Sequence, residues 1–383
     1  MESRESYNDA VVGAGILGLA HAYHLARRGR RVIVFERHPR ACGASVRNFG
    51  MLWPIGQPFG DLRDLANRSL GVWLDVLAAS GLWHDRCGSL HLAYRDDETH
   101  VLREFAQQCH DHDEPVEWLD PDEVRRRAPA VRQEGLQHGF WSPAEVCVDP
   151  REIVAGLPQW LSQRYGVAFR FETPVVAVEP PQLDAGRGGY AIERVWICSG
   201  DETNVLFPDL LASTGLVRCK LQMMRSQPLD DESRIGPMLA AGLTLRHYAA
   251  FRNCPTLRAL TERVARESPW LDQYGIHVLV SQNAQGELAI GDSHEYDDRI
   301  DPFDKAEIEE WILGYLSTFL HAPGLRIASR WHGIYVKHPD QPFVILEPSP
   351  GVTVITGVGG AGMTLSFGLA EKVVSDVLEG SSG

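Results

Sequence analysis

The stretch AVVGAGILGLAHAYHLARRGRRVIVFER, from Ala10 to Arg37, carries the pattern that decides the fold. A short apolar run ending at Val12 predicts a buried strand. The apolar spacing from Ile16 to Arg28 predicts a helix that ends at Gly29. Because a second apolar strand is predicted directly afterwards, the stretch indicates a βαβ unit, the repeating element of parallel sheets covered by helices.

Three glycines stand at the predicted turn from strand to helix in the order G-x-G-x-x-G, namely Gly13, Gly15 and Gly18. Free N–H groups and the dipole of a helix that begins there attract a pyrophosphate, so the turn predicts dinucleotide binding. Ile16 and Leu17, in the first turn of the helix, belong to the same predicted site. A glycine-rich packing turn that binds nothing is the alternative interpretation.

Glu36 lies eighteen residues after Gly18, at the end of the second predicted strand. There its carboxylate can accept hydrogen bonds from the two ribose hydroxyls of an adenosine, with Arg37 beside it. A carboxylate at this position disfavours NADP, because it would repel the 2′-phosphate. FAD and NAD share this pattern, so the rest of the chain must distinguish them.

The composition bounds the class of protein. With 383 residues, of which 44% are hydrophobic, the chain can bury a large core, and we expect two domains. The formal net charge of -14 argues against nucleic-acid or anionic-membrane partners. Seven scattered cysteines without a C-x-x-C pair indicate reduced thiols. The first residues lack the pattern of a signal peptide or of a membrane span. We therefore expect a cytoplasmic protein.

Beyond Arg37 the alternation of strands and helices stops, which favours FAD over NAD. Helices predicted near residues 60–80 and 97–110, with a strand near 90–94, indicate an inserted second domain, and residues 216–300 predict strands and loops with one helix. We expect an α/β fold (α+β overall) that contains a Rossmann-like FAD-binding domain and a second, sheet-based substrate domain. The predicted FAD-binding domain comprises residues 1–85, 140–215 and 325–380, and the predicted substrate domain comprises 86–139 and 216–324.

The order of motifs along almost the whole chain resembles the FAD-dependent D-amino-acid oxidase superfamily, which includes glycine oxidase and sarcosine oxidase. After the glycine turn and Glu36, the matching motifs are GAS-x-x-N (43–48), VDP (148–150), TPV (173–175), ICSG (197–200), W-x-G (331–333) and GVGGAGMT (357–364). The run ASVRNFGMLWPIGQP (44–58) more narrowly resembles a bacterial subgroup associated with phosphonate breakdown.

The resemblance implies further contacts with FAD. The loop after Glu36 would lie along the pyrophosphate and the flavin, Val175 would meet the adenine, and the second glycine turn would face the flavin pyrimidine. Ser199 and Gly200 end a predicted strand, where an open α/β sheet meets its ligand. The remaining implied residues are Ser45, Arg47, Asn48, Gly50 and Met51 in the loop, and Gly359, Gly360, Gly362, Met363 and Thr364 at the second turn.

The segment SRWHGIYVKHPDQPF, residues 329–343, resembles the family pattern W-A-G-L-R-P-x-T-x-D. In glycine and D-amino-acid oxidases the arginine of this pattern clamps the substrate carboxylate, and here Tyr335 stands in its place. In sarcosine-oxidase-type members a cysteine attaches the flavin, and here Gly333 stands in its place, so the resemblance implies non-covalent FAD. Loss of the bidentate arginine disfavours an ordinary α-amino-acid substrate. The candidate substrate ligands are Tyr335, Lys337, His338, Arg246, His247, Arg225 and Met51.

The resemblance implies an FAD-dependent amine oxidoreductase. Such an enzyme moves a hydride from the carbon next to a primary or secondary amine to flavin N5, and the resulting imine hydrolyses. We expect a small anionic amine such as an aminoalkylphosphonate or its N-methyl derivative, with O₂ or another electron acceptor, and no metal site. Three alternatives remain: a glycine, sarcosine or D-amino-acid oxidase, an FAD dehydrogenase that passes electrons to a partner, and a binding subunit with structural FAD. The sequence does not indicate the oligomeric state.

Overall fold

The computed structural model describes residues 5–186, 188–229, 234–297 and 299–380. The strands within these residues are β1 (Ser6–Val12), β2 (Val32–Phe35), β3 (Met51–Leu52), β4 (His84–Asp85), β5 (Ser89–Ala93), β6 (Glu117–Leu119), β7 (His138–Ser142), β8 (Val146–Val148), β9 (Ala168–Arg170), β10 (Ala177–Glu179), β11 (Gln182–Asp184), β12 (Gly189–Ile197), β13 (Val217–Ser226), β14 (Met238–Ala241), β15 (Leu279–Gln282), β16 (Leu288–Gly291), β17 (Glu295–Tyr296), β18 (Ile327–Lys337), β19 (Val344–Ser349) and β20 (Val352–Thr356).

The helices are α1 (Ile16–Arg27), α2 (Asp61–Ser80), α3 (Asp96–Asp111), α4 (Pro121–Arg127), α5 (Pro150–Tyr165), α6 (Pro208–Ala212), α7 (Gly242–Leu245), α8 (Leu257–Glu267), α9 (Pro269–Gln273), α10 (Ala306–Phe319) and α11 (Gly362–Glu379). Single turns of 3₁₀ helix lie at Ala44–Val46, Pro54–Gly56, Ala249–Phe251 and Gly359–Ala361. No helix in the described ranges is long and apolar enough to cross a membrane.

The first sheet is built on the predicted βαβ unit. Its strand order is β10-β11-β12-β1-β2-β9, with β20 paired to β12 and β19 paired to β20. The pairs of β1 with β2, β1 with β12, and β12 with β20 are all parallel. Because parallel strands end at the same edge of a sheet, Gly13, Glu36, Ser199 and Gly357 gather at one crevice, where open α/β sheets bind ligands.

Helices cover this sheet because its inner strands are apolar on both faces. Residues Asp9–Val12 of β1 are buried, as expected for a central parallel strand. Helix α1 packs against α5 and α11, and α11 packs in turn against α2. Leu19 of α1 and Phe367 of α11 lie in one buried cluster with Trp73 of α2. This packing holds the beginnings of α1 and α11 at the crevice.

The second sheet has the order β17-β13-β16-β15-β14-β5-β7-β6, with β18 paired to β13. Strand β18 runs antiparallel to β13 from Ile327, opposite Ser226, to Lys337, opposite Val217. The pairing therefore places β18 in the second sheet, whereas the predicted boundaries grouped it with the FAD-binding segments. Lys337 also bridges to Val358, so the end of β18 lies against the second glycine turn.

The predicted elements and the observed ones agree closely where the apolar pattern is long. The predicted helices and strand between residues 60 and 110 are α2, α3 and β5. The expectation of one helix between residues 216 and 300 was wrong, because α7, α8 and α9 lie there. Helices α7 and α9 have only 4 and 5 residues, which is too short to show a helical period.

Candidate active site

The turn between β1 and α1 forms one end of a large cavity. Gly13 has φ +102°, and a Cβ there would collide with the carbonyl oxygen of Cys198 on the neighbouring strand. Gly15 lines the cavity with Ile16 and Leu17. Gly18 does not line the cavity. It lies behind the turn, where the lack of a side chain lets α1 pack closely on the carbonyl oxygen of Gly13. The glycines thus shape both the cavity wall and the packing behind it.

Glu36 closes the same end of the cavity. Its carboxylate is buried and accepts hydrogen bonds from the backbone N–H of Ala14 and of His38, each at 3.0 Å. A carboxylate has about four acceptor sites, so two remain for a ligand. Arg37 lines the cavity beside it and pairs with Glu202 at 2.6 Å.

The loop that follows β2 is pinned to this turn. Ser45 Oγ accepts a hydrogen bond from Ile16 N–H at 3.0 Å, which ties the loop to the start of α1. Asn48 donates to the carbonyl oxygens of Ala44 and Ser45 and accepts from Gly50 N–H, so its side chain also holds the loop in shape. Gly50 does not line the cavity. It packs against Val148 instead, and a Cβ there would collide with the carbonyl oxygen of Val148.

The second glycine turn forms the opposite wall. Gly359 and Gly360 face β18, where a Cβ on Gly360 would lie 3.7 Å from the hydroxyl of Tyr335. A Cβ on Gly333 would lie 3.3 Å from the carbonyl oxygen of Arg47, so this position leaves little room for a side chain. The guanidinium of Arg47 donates to the carbonyl oxygen of His332 at 3.1 Å and ties the first loop to β18.

The cavity between these walls has a volume of about 1180 Å³. This exceeds the roughly 300–1,000 Å³ of a typical small-molecule site, so a dinucleotide and a small substrate fit together. The other predicted cofactor residues that line it are Ser45, Arg47, Asn48, Met51, Val175, Ser199, Gly200, Gly359, Gly360, Gly362, Met363 and Thr364. The structure therefore gathers residues from three distant parts of the chain.

Cationic side chains from two elements line the far end of the cavity. Lys337, on β18, is half buried, and its ammonium donates to the hydroxyl of Tyr296 at 3.2 Å and lies 4.4 Å from the centre of that ring. Burial lowers the pKa of Lys337, and repulsion from Arg252 lowers it further. Arg252 also lines the cavity. In the part of the chain that the structure describes, neither cation pairs with a carboxylate.

Two other predicted substrate ligands, Arg246 and His338, line the cavity but already form polar contacts within the protein. Arg246 lines the cavity, but its guanidinium pairs with Asp272 at 2.5 Å. His338 also lines it, and its Nδ1 accepts from the backbone N–H of Asp340 and Gln341. His338 thus stabilises the turn after β18 while its ring faces the cavity.

The structure does not bring Arg225 to the cavity. Met223 lines the cavity from the same face of β13, but Arg225 lies two residues further along, about 7 Å beyond it at the usual rise of a strand. Its guanidinium lies 5.2 Å from the ring centre of Trp331 and 3.7 Å from Glu287. Arg225 therefore packs between the sheet and a neighbouring acid.

Three histidines meet at the cavity wall, although no metal site was expected. The ring centres of His247 and His277 are 3.9 Å apart, and those of His247 and His294 are 4.4 Å apart. Burial lowers the pKa of His277 well below the usual range and that of His294 to about 4, so both are neutral at pH 7. Asp292 lies beside them, and burial raises its pKa.

Comparison with known proteins supplies the family. A family model described as FAD dependent oxidoreductase matches residues 10–375, which contain both glycine turns and the cavity between them. The chain belongs to this family of FAD-dependent oxidoreductases. FAD is accordingly its cofactor, and the protein is an enzyme.

Individual relatives are similar at low identity. Glycine oxidase of Geobacillus kaustophilus is 27% identical over 207 residues, which cover 51% of this chain and 54% of that protein, so the match spans about half of the curated relative. Gamma-glutamylputrescine oxidoreductase of Escherichia coli is 23% identical over 399 residues, covering 97% and 83%. The crystal structure of the Geobacillus glycine oxidase superposes with a TM-score of 0.79 and 21% identity, covering 98% of this chain and 95% of that one, which shows a shared fold.

The observed cavity fits FAD in its donor set as well as in its size. Trp53 Nε1 and Thr356 Oγ1 line the cavity, are buried and have no hydrogen-bond partner within the described residues. Buried polar atoms are almost always paired in native proteins, so atoms of this kind mark places where a ligand completes the wall. With Glu36 at one end and the second glycine turn at the other, these residues would hold the oxidoreductase's FAD along the crevice.

Sequence reasoning missed several residues that line the far end of this cavity. They are Arg252, His277, Asp292, His294 and Tyr296. These residues come from a 3₁₀ turn, a hairpin and a short strand, and they carry no local motif. Only the pairing of β15 with β16 and of β13 with β17 brings them together.

Proposed function

We propose that the protein oxidises a small amine that carries a phosphonate or another non-carboxylate anion, in line with the resemblance of residues 44–58 to the phosphonate-associated subgroup. Bound FAD supplies the acceptor for a hydride from the carbon next to the nitrogen. The nitrogen lone pair then forms the C=N bond of an imine, and water hydrolyses it to a carbonyl compound and the free amine. The protein's own residues bind the anion, orient the C–H bond and exclude water.

The observation that carries this proposal is the pair of cations Lys337 and Arg252. Both line the cavity, they repel each other, and neither has a carboxylate partner among the described residues. Arg252 is exposed and Lys337 is half buried, so water screens part of this repulsion, and an anion bound between the two cations would relieve the rest. A phosphonate offers three acceptor oxygens and up to two negative charges, so it can accept charge-assisted hydrogen bonds from both side chains.

Tyr335 supports an anion that differs from a carboxylate. It occupies the position of the family's clamping arginine, and burial raises its pKa well above the usual value, so it stays a neutral phenol. A phenol donates one hydrogen bond, where arginine would form two parallel bonds to a planar carboxylate. The geometry therefore suits a tetrahedral anion that is held from several directions.

Apolar side chains around this wall would keep water from the reacting carbon. Met51, Leu221 and Met223 line the cavity, and each is at most 7% exposed. A dry wall strengthens the contacts of Lys337 and Tyr335 with an anion, because electrostatic interactions are stronger at low dielectric. Holding the anion at a fixed point also fixes the distance from the amine carbon to the flavin.

A second candidate function is oxidation of glycine, sarcosine or a D-amino acid. The similarity to glycine oxidase supports it, and so does Arg246, whose Nε is buried at the cavity without a hydrogen-bond partner. Arg246 already pairs with Asp272, however, which leaves less of its charge for a substrate carboxylate. We propose that O₂ or an electron-accepting partner reoxidises the flavin in both cases, in the cytoplasm.

Anaerobic bleaching of the bound flavin tests the proposal. The panel contains glycine, sarcosine, D-alanine, 2-aminoethylphosphonate and its N-methyl derivative, each mixed with the purified protein without oxygen. We expect a phosphonate to reduce the flavin fastest, and Tyr335→Arg to shift the preference towards glycine or sarcosine. If glycine is the best substrate of the unaltered protein, the phosphonate proposal is wrong and the second candidate replaces it. If no amine bleaches the flavin, the role of FAD is structural.

We also propose that FAD is held without a covalent bond. Gly333 replaces the cysteine that attaches the flavin in some relatives, and it carries no nucleophile. Precipitating the purified protein with acid should therefore release all of the yellow colour into the supernatant, with one FAD per chain. Flavin that remained with the precipitate would show an attachment elsewhere, with Cys42 at the cavity as the first residue to examine.

A further inference from the structure

We propose that His247, His277 and His294 bind a divalent transition-metal ion of the zinc type at the wall of the flavin cavity. Each histidine offers one ring nitrogen, and these three nitrogens lie within 4.8 Å of one another. All three residues line the cavity. Around a tetrahedral ion, nitrogens at about 2.05 Å from the metal are about 3.4 Å apart, so small ring rotations would close the site.

The histidines sit on a rigid scaffold. His277 and Asp292 exchange two backbone hydrogen bonds, at 2.8 and 3.2 Å, where the β15–β16 hairpin opens towards the cavity. His294 N–H donates to the carbonyl oxygen of Tyr274 at 2.7 Å, and His247 N–H donates to that of Thr244 at 3.0 Å. Ligands fixed by backbone hydrogen bonds need little reorganisation when a metal binds.

The hydrogen bonds of the rings leave nitrogens free to act as ligands. His294 Nδ1 lies 3.1 Å from the carbonyl oxygen of Gly275, and this contact makes Nδ1 the donor and leaves the lone pair on Nε2. His277 Nε2 lies 3.1 Å from Asp292 Oδ1 without completing a hydrogen bond, so both ring nitrogens of His277 remain available to a metal ion. A carbonyl oxygen behind a histidine, as Gly275 provides for His294, is the usual arrangement around protein metal ions.

Unpartnered atoms mark the site independently of its geometry. His277 is 2% exposed and Asp292 is 5% exposed. Neither ring nitrogen of His277, nor Oδ1 of Asp292, completes a hydrogen bond within the described part of the chain. The only basic groups that the described residues place within ion-pair distance of Asp292 are His277 and His294. A bound cation would compensate the buried carboxylate and use the free nitrogens.

Three protein ligands leave the fourth position of a tetrahedral ion open. His247 is exposed towards the cavity, and His294 is near Tyr335, with ring centres 6.5 Å apart. The open position would therefore face the substrate end of the cavity. Resting on the proposed function, we expect an oxygen of the substrate's anionic group to fill it, beside Lys337.

Zinc binding to the FAD-loaded full chain tests the metal site without any turnover. After treatment with a chelator, equilibrium dialysis against zinc should give one tightly bound ion per chain. His277→Ala and His294→Ala should each weaken zinc binding more than about 100-fold, and Asp292→Asn about 10- to 100-fold. His332→Ala is the matched control, because His332 lies on β18 outside the cavity with its ring on Asp304, and it should keep the zinc.

Retention of FAD by every variant shows that it is folded. X-ray absorption of the zinc-loaded protein should show nitrogen neighbours at about 2.0–2.1 Å. If zinc does not bind at one ion per chain, or if His277→Ala and His294→Ala leave its affinity unchanged, the metal site is wrong.

A second measurement concerns the open position. Methylphosphonate has no amine to oxidise, so its affinity can be read from the flavin difference spectrum. Zinc loading should tighten methylphosphonate binding at least about tenfold, and an equal affinity with and without zinc would overturn the assignment of the open position. The flavin-bleaching experiment with the amine panel is carried out and interpreted without added zinc. Failure of the proposed function and failure of the metal site therefore remain distinguishable.

Discussion

At the scale of single residues, the proposed anion site at the far end of the cavity depends on charge that is only partly solvated. Lys337 is the clearest example, because it is half buried, touches Tyr296 and faces another cation. A surface lysine would be screened by water and would contribute little. In the cavity, the same ammonium can distinguish an anionic amine from a neutral one.

We predict that Lys337→Ala lowers kcat/KM for an anionic amine roughly 10- to 100-fold, since a hydrogen bond to a charged group contributes about 1.5–3 kcal/mol. Activity towards a neutral amine should change little. Lys372→Ala, which removes an exposed lysine paired with Asp376 on α11, is the control. An equal loss with the neutral amine would show that Lys337 acts on folding or on reoxidation of the flavin.

The pH dependence of flavin reduction should also reveal the charge of Lys337. Because burial and Arg252 lower the pKa of Lys337 below its usual value of 10.5, the ammonium loses its proton earlier as the pH rises. The rate constant for flavin reduction by an anionic amine at low concentration should therefore fall on the alkaline side, starting below pH 10.5. Lys337→Arg keeps its charge at these pH values and should move that fall upwards. A neutral amine whose profile fell in parallel would contradict this origin.

At the scale of elements, the β1–α1–β2 unit joins a fold motif to a ligand site. The carboxylate of Glu36 holds the N–H groups of Ala14 and His38, so the strand end and the glycine turn keep one shape. The same carboxylate faces the cavity with acceptor capacity to spare. We therefore propose that Glu36 couples the local structure of the β1–α1–β2 unit to the affinity for FAD.

We predict that Glu36→Gln weakens FAD binding by roughly tenfold or more, because an amide oxygen cannot replace two charged acceptors and its NH₂ group cannot accept. FAD fluorescence on titration of the stripped protein measures the affinity. Glu193→Gln is the control, since Glu193 pairs with Arg30 on the surface of the same sheet. Unchanged FAD affinity in Glu36→Gln would mean that the adenosine lies elsewhere.

At the scale of the whole molecule, the cavity lies between the two large sheets. Loop 44–58, strand β18 and the second glycine turn all border it. A ligand in this position contacts segments far apart in the chain and binds only when both sheets are folded. FAD should therefore act on the stability of the entire molecule.

We predict that the midpoint of thermal unfolding rises with the concentration of added FAD. Free ligand at 1,000 times its Kd stabilises the folded state by about 4.1 kcal/mol, if the unfolded chain does not bind it. Differential scanning fluorimetry with a dye outside the flavin bands measures the shift, and riboflavin, which lacks the adenosine and pyrophosphate, is the control ligand. A midpoint independent of FAD concentration would place the cofactor outside the cooperative unit.

The sequence by itself determined the β1–α1–β2 unit at one end of the cavity. The strand, the glycine turn, the helix, the second strand and Glu36 are contiguous between residues 10 and 37, and each follows from a local pattern of apolar spacing or backbone freedom. A βαβ unit closes on itself within one short segment, so its local signals are sufficient. The boundaries of α1 were predicted almost to the residue for this reason.

The cationic and histidine-lined end of the cavity was decided only by the tertiary structure. His247, His277 and His294 belong to three separate segments, and Arg252 meets Lys337 across 85 residues of chain. Arg225 looked equivalent to these residues in the sequence, yet its position two residues further along β13 leaves it outside the cavity. Strand pairing sets which residues share a wall, and pairing between distant strands has no signature in the local sequence.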